Sequence, residues 1–135
     1  MFVDSHCHLS FPELKAQLPQ IRAAMKQAQV DRALCICTTL EEFASVHQLA
    51  LDYDNFWATV GVHPDNEGVT EPTLDDLVRL GNLPRIVAIG ETGLDYYQME
   101  ERKGGRTLAD MGWQRDRFRT HIRAARQVRK PLVIH

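Results

Sequence analysis

Short apolar runs recur along the chain and alternate with segments in which apolar residues return every three or four positions. A nearly continuous apolar run is typical of a strand covered on both faces, and the three-to-four spacing is typical of a helix with one buried face. The order β-α-β-α-β-α-β-α-β predicts an α/β protein with a parallel sheet and helices outside it. The runs that predict strands begin at Phe2 and cover Arg32 to Thr38, Phe56 to Val62, Ile86 to Gly90 and Pro131 to His135.

Two architectures fit this order, an open doubly wound sheet and a (β/α)8 TIM barrel. Glycine-rich phosphate loops do not follow the predicted strands, which argues against a nucleotide-binding fold. Five strands cannot close the usual eight-stranded barrel, which typically needs roughly 250 residues. No linker-like stretch or internal repeat divides residues 1–135, so a single domain is expected.

Capping signals mark the expected starts of helices. Ser10 and Thr39 each stand three residues before a Glu, which is the spacing of a capping box. Thr73 precedes a short segment of helical periodicity, and a longer helix is predicted from Trp113 to Lys130. The residues of that longer helix expected to face inward are Phe118, Ile122, Ala125 and Val128.

Composition narrows the setting of the protein. The chain is 44% hydrophobic and 25% charged, which is ordinary for a globular domain. Its apolar start is too short for a signal peptide and is interrupted by Asp4, and no run approaches the roughly 18 apolar residues of a membrane span. Three cysteines show no disulfide or zinc-finger spacing, and Cys35 and Cys37 are expected to be buried small hydrophobes. A reducing cytoplasm and a monomer are the expected state.

The charge is unevenly distributed. The formal net charge is −2, yet residues 102–130 carry ten Lys or Arg and only two Asp. Such asymmetry suggests an anionic partner. Within this segment, Lys103 and Arg106 fall in the loop after the fourth strand, whereas the arginines of the following helix are expected to be a solvated outer surface.

Candidate metal ligands stand at the carboxyl ends of the predicted strands. His6 and His8 alternate in a strand, so both imidazoles project from one face. His63, Glu91 and His135 follow three further strands, and the ends of parallel strands share one edge of the sheet. Imidazoles with a carboxylate suit Zn, Mn or Mg.

These stretches resemble the TatD family of metal-dependent deoxyribonucleases, which are amidohydrolase-like TIM barrels. The resemblance covers the whole chain, and its most specific part is the run from Ala88 to Tyr97. The matching motifs are Asp4-Ser5-His6-Cys7-His8, Gly61-Val62-His63-Pro64, Gly90-Glu91-Thr92-Gly93-Leu94-Asp95-Tyr96-Tyr97, Gln114-Arg115 with Phe118, and Pro131-Leu132-Val133-Ile134-His135.

The resemblance implies the N-terminal part of a (β/α)8 barrel with only about the first five strands in this chain. It also implies two divalent ions: His6 and His8 hold the first, His135 holds the second, and Glu91 bridges them as the catalytic ligand. A hydroxide generated on the metal would hydrolyse DNA phosphodiester bonds. His63, Lys103 and Arg106 are expected to contact the substrate, and Asp4 and Asp95 to orient the imidazoles. An alternative role for Asp95 is to cap its loop.

Two alternatives to a deoxyribonuclease stay open. The same scaffold supports metal-dependent hydrolysis of an amide or another ester. The chain could also be a non-catalytic fragment that binds nucleic acid through its basic segment. The family pattern continues with a further histidine and an aspartate that this sequence does not contain, so residues 1–135 alone are expected to be inactive and to expose apolar strand edges.

Overall fold

The computed structural model describes residues 1–135, apart from the side chain of Arg102. Its five strands are β1 Phe2–Cys7, β2 Val30–Cys35, β3 Phe56–Val60, β4 Ile86–Thr92 and β5 Leu132–Ile134. Its five α-helices are α1 Pro12–Lys15, α2 Leu18–Gln27, α3 Phe43–Asp52, α4 Leu74–Gly81 and α5 Gly112–Val128. Short 3₁₀ turns at Tyr97–Met99, Glu101–Lys103 and Ala109–Met111 interrupt the loop between β4 and α5.

The strands form one sheet in the order β1-β2-β3-β4-β5, and every neighbouring pair is parallel. Each parallel neighbour requires a crossover, and one or two helices supply it every time. Cys35 of β2, for example, pairs with Cys7 of β1 and with Ala58 of β3. All five strands therefore end at the same edge of the sheet, which confirms the expected α/β architecture.

The core lies between the sheet and its helices. Phe56, Ala58 and Val60 alternate along β3 and are fully buried, in one cluster with Val46 and Leu49 of α3. Burying a Phe, Val or Leu side chain contributes about 1.5–3 kcal/mol each. Cys35 and Cys37 are also buried and form no disulfide, as the sequence predicts.

The N-termini of the helices confirm the start predicted at Thr73 and contradict the cap predicted at Ser10. Thr73 caps α4 in a full capping box with Asp76. The capping box predicted at Ser10 is wrong: α1 begins after Phe11, and no side chain caps it. Pro12 opens that helix and already removes one of the N–H groups that a cap would satisfy.

The capping box predicted at Thr39 is only half formed. The Thr39 hydroxyl accepts a hydrogen bond from the backbone N–H of Glu42 at 3.2 Å. The Glu42 carboxylate instead accepts a hydrogen bond from the hydroxyl of Thr38 at 2.8 Å. The helix α3 begins directly after Glu42, at Phe43.

The buried face of α5 also differs from the prediction. Ala125 is buried as expected, but Phe118, Ile122 and Val128 are only half-buried. The face turned to the sheet is largely polar, and its buried residues are Gln114, Arg117, His121, Ala124 and Ala125. Apolar periodicity cannot reveal such a face, because each polar side chain is compensated by hydrogen bonds to other segments.

The outer strands leave apolar side chains in solvent. Phe2 and Val3 of β1 are 63% and 61% exposed, and Ile134 of β5 is 62% exposed. Across the described residues, no helix has both the length and the apolar character needed to cross a membrane.

Candidate metal centre

One buried carboxylate, that of Glu91, faces imidazoles on two sides. Glu91 lies on β4, and its Oε2 is 3.2 Å from Nε2 of His6 and 3.9 Å from Nε2 of His8. Its Oε1 is 3.0 Å from Nδ1 of His135 and 3.7 Å from Nε2 of His63. The structure thus brings the four predicted ligands together, and each carboxylate oxygen has its own pair of histidines.

The first pair comes directly from strand geometry. His6 is the fifth residue of β1 and His8 follows its end, so both rings project to the same side, with centroids 5.3 Å apart. The His8 ring stacks on Phe11 at a centroid distance of 4.9 Å. Phe11 was not anticipated from sequence, and its position three residues after a candidate ligand is the only signal that pointed to it.

Two glycines let the strand ends approach closely. A Cβ on Gly61 would lie 2.6 Å from the carbonyl carbon of Gly90, and a Cβ on Gly90 would lie 2.5 Å from the carbonyl oxygen of Val133. Gly90 also has a φ of +145°, which favours glycine. These contacts explain why glycine precedes Glu91, and they bring that carboxylate close to β3 and β5.

The hydrogen bond of His8 selects the tautomer that binds metals. Its Nδ1 is 3.3 Å from the carbonyl oxygen of Ile36. A carbonyl only accepts, so Nδ1 carries the hydrogen and the lone pair of Nε2 points towards Glu91. A backbone partner of this kind is the usual support of a metal-binding histidine.

His63 has the opposite tautomer. Its Nδ1 accepts the backbone N–H of Asp65 at 3.1 Å, so the ring hydrogen sits on Nε2. That N–H faces Nδ1 of His135 at 3.0 Å, and the same Nδ1 lies 3.0 Å from Oε1 of Glu91, while Nε2 of His135 lies 3.3 Å from Oδ2 of Asp95. Burial lowers the pKa of His63, which keeps the ring neutral. His135 thus stands between two carboxylates, and a metal ion between Nδ1 and Glu91 would leave Nε2–H to donate to Asp95.

The donor set fits divalent ions. Two groups, His6 with His8 and Glu91, and His63 with Glu91 and His135, each place their donor atoms within 4.8 Å of one another. Ligands at about 2.0–2.1 Å from a tetrahedral ion stand roughly 3–4 Å apart, and neutral imidazole with carboxylate is typical zinc or manganese chemistry. His63 joins the second group by proximity, but its tautomer makes it a donor.

The two aspartates act differently. Asp4 accepts the backbone N–H of His6 at 3.0 Å, so it contacts the main chain and not an imidazole. Asp95 accepts the backbone N–H of Tyr97 at 2.9 Å with one oxygen and faces His135 with the other. Asp95 therefore combines the loop-capping and ring-orienting roles considered from sequence.

The two basic residues of the loop form ion pairs within the protein. Lys103 Nζ is 3.1 Å from Oε2 of Glu100 and 3.6 Å from the ring centroid of Tyr97. Arg106 binds both carboxylate oxygens of Glu67, with NH2 at 3.0 Å from Oε2. Neither belongs to the open cavity of about 390 Å³ at the histidines, which is lined by His6, His8, Phe11, Thr38, His63, Asp65, Asn66, Glu91 and His135.

Three buried polar residues of α5 contact this region, and no role was predicted for them from sequence, although Gln114 stands in the motif Gln114-Arg115. Gln114, Arg117 and His121 recur at spacings of three and four, which places them on one helical face. That polar periodicity inside an otherwise basic helix was the available signal. Arg117 also corrects the expectation that the arginines of this helix are solvated, because it is buried, whereas Arg123 and Arg126 are exposed.

Comparison with known proteins agrees with this geometry. A family model described as TatD related DNase matches residues 3–135. The chain belongs to the TatD family. It is 34% identical to the uncharacterized metal-dependent hydrolase YcfH of Escherichia coli K12, over 98% of this chain and 48% of that protein. It is 32% identical to the 3'-5' ssDNA/RNA exonuclease TatD of Edwardsiella piscicida, over 98% of this chain and 49% of that protein.

The fold is shared with a solved TatD homologue. The crystal structure of YjjV from E. coli K12 superimposes with a TM-score of 0.84 at 26% identity, over 99% of this chain and 50% of that one. The five-stranded sheet and its helices therefore match the N-terminal half of a TIM barrel. The chain spans about half the length of the curated relatives it matches.

Proposed function

We propose that this TatD-family chain carries the N-terminal part of the active site of a divalent-metal-dependent deoxyribonuclease. The observation that carries the proposal is the buried Glu91 carboxylate with one oxygen turned to His6 and His8 and the other to His135. A relative that is 32% identical to this chain over 49% of its own length is named a 3'-5' ssDNA/RNA exonuclease, which supports a nucleic-acid substrate.

Each residue has a distinct role in the proposed reaction. His6 and His8 would hold one ion, His135 a second, and Glu91 both. When bound, such ions supply activation of water and neutralise charge on the phosphodiester. His63 would donate its Nε2–H to a phosphate oxygen, since an N–H cannot ligate a metal. Asp95 would keep His135 in the tautomer whose Nδ1 lone pair faces Glu91.

Lys103 and Arg106 would bind the nucleic-acid backbone beyond the histidines. Both lie on the loop that follows β4, and strand-end loops of a barrel surround its active site. Their present partners, Glu100 and Glu67, are themselves at least 42% exposed at the side chain. An ion pair with an exposed partner is worth only about 0–1 kcal/mol unless it is bidentate, so a phosphate can compete for Lys103, whereas at Arg106 it would have to displace the two-point contact of Glu67.

The experiment that tests this proposal is a substrate panel assayed on the complete protein. Single-stranded DNA, duplex DNA, an aryl ester and an amide would be compared with added Zn²⁺, Mn²⁺ or Mg²⁺ and with EDTA. DNA cleavage that EDTA abolishes and that Glu91→Gln loses is the expected result. Turnover of only the amide or ester would favour the alternative hydrolase, and DNA binding without cleavage would favour a nucleic-acid-binding role.

The alternative of hydrolysis at another bond has a specific basis. The relative YcfH, at 34% identity, is named a metal-dependent hydrolase without a stated substrate. A reducing cytoplasm, supported by three free cysteines, and a monomeric state complete the proposal.

A further inference from the structure

The buried polar side chains of α5 contact the site by hydrogen bonds to backbone groups of the neighbouring loops. Gln114, Arg117 and His121 are only 1%, 4% and 0% exposed. Burying a polar group costs free energy unless the group is hydrogen-bonded. Most hydrogen bonds of these three side chains reach residues 62–66 or the backbone of Asp95. The others join Arg117 to Glu71, and His121 to the Arg117 carbonyl within the helix.

Gln114 makes three of these bonds with one amide group. Its Nε2 donates to the carbonyl of Pro64 at 3.0 Å and to the carbonyl of Asp95 at 3.0 Å. Its Oε1 accepts the backbone N–H of Asp95 at 2.8 Å. One side chain therefore joins the loop after β3 to the loop after β4.

The Pro64 carbonyl belongs to the same peptide unit as the Asp65 N–H. That N–H is the donor that places the ring hydrogen of His63 on Nε2. Because a peptide unit is planar, holding its carbonyl also fixes the direction of its N–H. Gln114 thus holds the donor that fixes the tautomer of His63.

The same side chain also holds the backbone of Asp95. The carboxylate of Asp95 faces Nε2 of His135 at 3.3 Å, and Nδ1 of His135 lies 3.0 Å from both Nε2 of His63 and Oε1 of Glu91. Gln114 binds both the N–H and the carbonyl of Asp95, so the residue that faces His135 is fixed as well. The backbone beside His63 and the backbone of the residue that faces His135 are therefore both held by Gln114.

Arg117 and His121 support the same segment on either side. Arg117 NH1 donates to the carbonyls of His63 at 2.7 Å and Asn66 at 2.6 Å, while its other nitrogens bind Glu71. His121 accepts the N–H of Val62 at 2.9 Å. The segment is held at successive peptide units, which restricts the rotation that would release the Asp65 N–H.

We propose that Gln114 is a positioning residue that holds the peptide beside His63 and the backbone of Asp95, and thereby fixes the tautomer of His63 and the carboxylate that faces His135. Its importance for catalysis rests on the function proposed above, in which Nε2–H of His63 meets the phosphate and the Nδ1 lone pair of His135 meets a metal. Its effect on the His63 tautomer is a property of the metal-free protein and is independent of any substrate.

The test is NMR of the ring nitrogens in the metal-free, complete protein. Long-range ¹H–¹⁵N spectra separate the two neutral tautomers. The wild type is expected to carry hydrogen on Nε2 of His63. Gln114→Met, which keeps the side-chain length and removes all three bonds, is expected to give a mixture. Wild-type His63 with its hydrogen on Nδ1 would overturn the proposal without any variant.

Gln127→Met is the matched control, because Gln127 lies on the same helix and is exposed. It is expected to retain the wild-type tautomers. The amide of Asp95 should exchange with solvent at least about fivefold faster in Gln114→Met than in the control, from the loss of one buried hydrogen bond. Unchanged tautomers in a folded Gln114→Met protein would show that the residue only stabilises the fold.

Metal titration gives a second readout. Gln114→Met should weaken binding at the His135 side on the order of tenfold, the usual effect of losing an outer partner of a ligand, and leave the His6 and His8 side unchanged. Equal losses at both sides would contradict the proposal. If no substrate is cleaved but the tautomers and affinities change as expected, the positioning role stands and the nuclease assignment fails.

Discussion

Glu91 makes the strongest prediction at the level of single residues, because its two oxygens face different histidines. Glu91→Gln keeps the shape and removes the charge, and it should weaken both metal-binding events by more than the roughly 10- to 100-fold caused by losing an outer partner. His6→Ala should weaken mainly one event. Calorimetric titration of the three proteins with Zn²⁺ measures this. Equal effects of His6→Ala and Glu91→Gln on both events would rule out the bridging role.

His121 makes a prediction about stability and pH. Burial is the main cause that lowers its pKa from the ordinary 6.5 to about 4, and the ring is held neutral between Val62 N–H and the Arg117 carbonyl. As the pH falls, the unfolded chain takes up the proton first. The contribution of His121 to stability is therefore complete above pH 6.5 and is lost between pH 6.5 and about 4.

Over that pH interval, the pKa shift of His121 corresponds to a loss of about 3 kcal/mol in the free energy of unfolding. Urea unfolding at several pH values would measure the slope in the wild type and in His121→Gln, whose amide oxygen can still accept the Val62 N–H. The variant should lose this part of the slope. A slope that is the same in both proteins would mean that another group causes the acid destabilisation.

At the level of elements, the apolar runs predicted all five strands, although only β3 and β4 are largely buried, β1 is exposed along most of its length and β5 is at most half-buried. The ends of the strands were less predictable. The second apolar run was expected to be a strand up to Thr38, yet β2 ends at Cys35, and the N–H of Cys37 is bound by the side-chain hydroxyl of Thr59 on β3 instead of by a backbone carbonyl. Side chains compete for the backbone groups of a neighbouring strand, and apolar patterning carries no record of this competition.

The candidate site was predictable to a similar extent. Strand alternation alone placed His6 and His8 together, and the shared strand edge placed His63, Glu91 and His135 near them. The tautomers were not predictable, because they depend on the Ile36 carbonyl and the Asp65 N–H, which are backbone groups without any residue-type signature. The polar face of α5 was hidden for the same reason.

The loop between β4 and α5 makes a prediction about DNA binding. Replacing Lys103 and Arg106 together by Ala should weaken DNA affinity with little effect on metal content. Each lost phosphate contact should flatten the dependence of log affinity on log salt by roughly 0.7–0.9. Affinity measured over a salt series on the complete protein gives both numbers.

The exposed Arg123 and Arg126 of α5 are the control pair, because they carry the same charge and lie on the outer helix. Their double Ala variant should retain nearly the wild-type affinity and salt dependence. A larger loss in this control than in the loop variant would place the DNA-binding surface on the helices and away from the strand ends.

At the level of the whole molecule, the outer strands β1 and β5 determine how the 135-residue chain behaves alone. Strands with unpaired backbone and exposed apolar side chains associate with one another, and Phe2, Val3 and Ile134 are all more than 60% exposed. We expect the isolated chain to self-associate in a concentration-dependent manner, as sedimentation velocity would show.

Ile134→Lys should reduce this association by placing a charge on the β5 edge. Leu51→Lys is the matched control, because Leu51 is 50% exposed but lies on the helix α3. Equal reductions by the two substitutions would mean that exposed apolar surface in general, and not the strand edge, drives the association.

In the proposed two-ion site, the shared Glu91 carboxylate would also link the two ions thermodynamically. An ion at the His6 and His8 side would withdraw electron density from the carboxylate and repel a second cation, whereas it would also hold the carboxylate in place for that second ion. Whatever the net factor, linkage requires that each ion change the affinity of the other by the same amount. The affinity of the His135 side measured with the His6 side empty and occupied, and the affinity of the His6 side measured with the His135 side empty and occupied, should therefore change by the same factor, and a factor of one would mean that the two sites do not share one ligand. Occupancy in the cell would then depend on the product of both ion activities, so that the protein responds to metal supply more steeply, or more gradually, than a single site can.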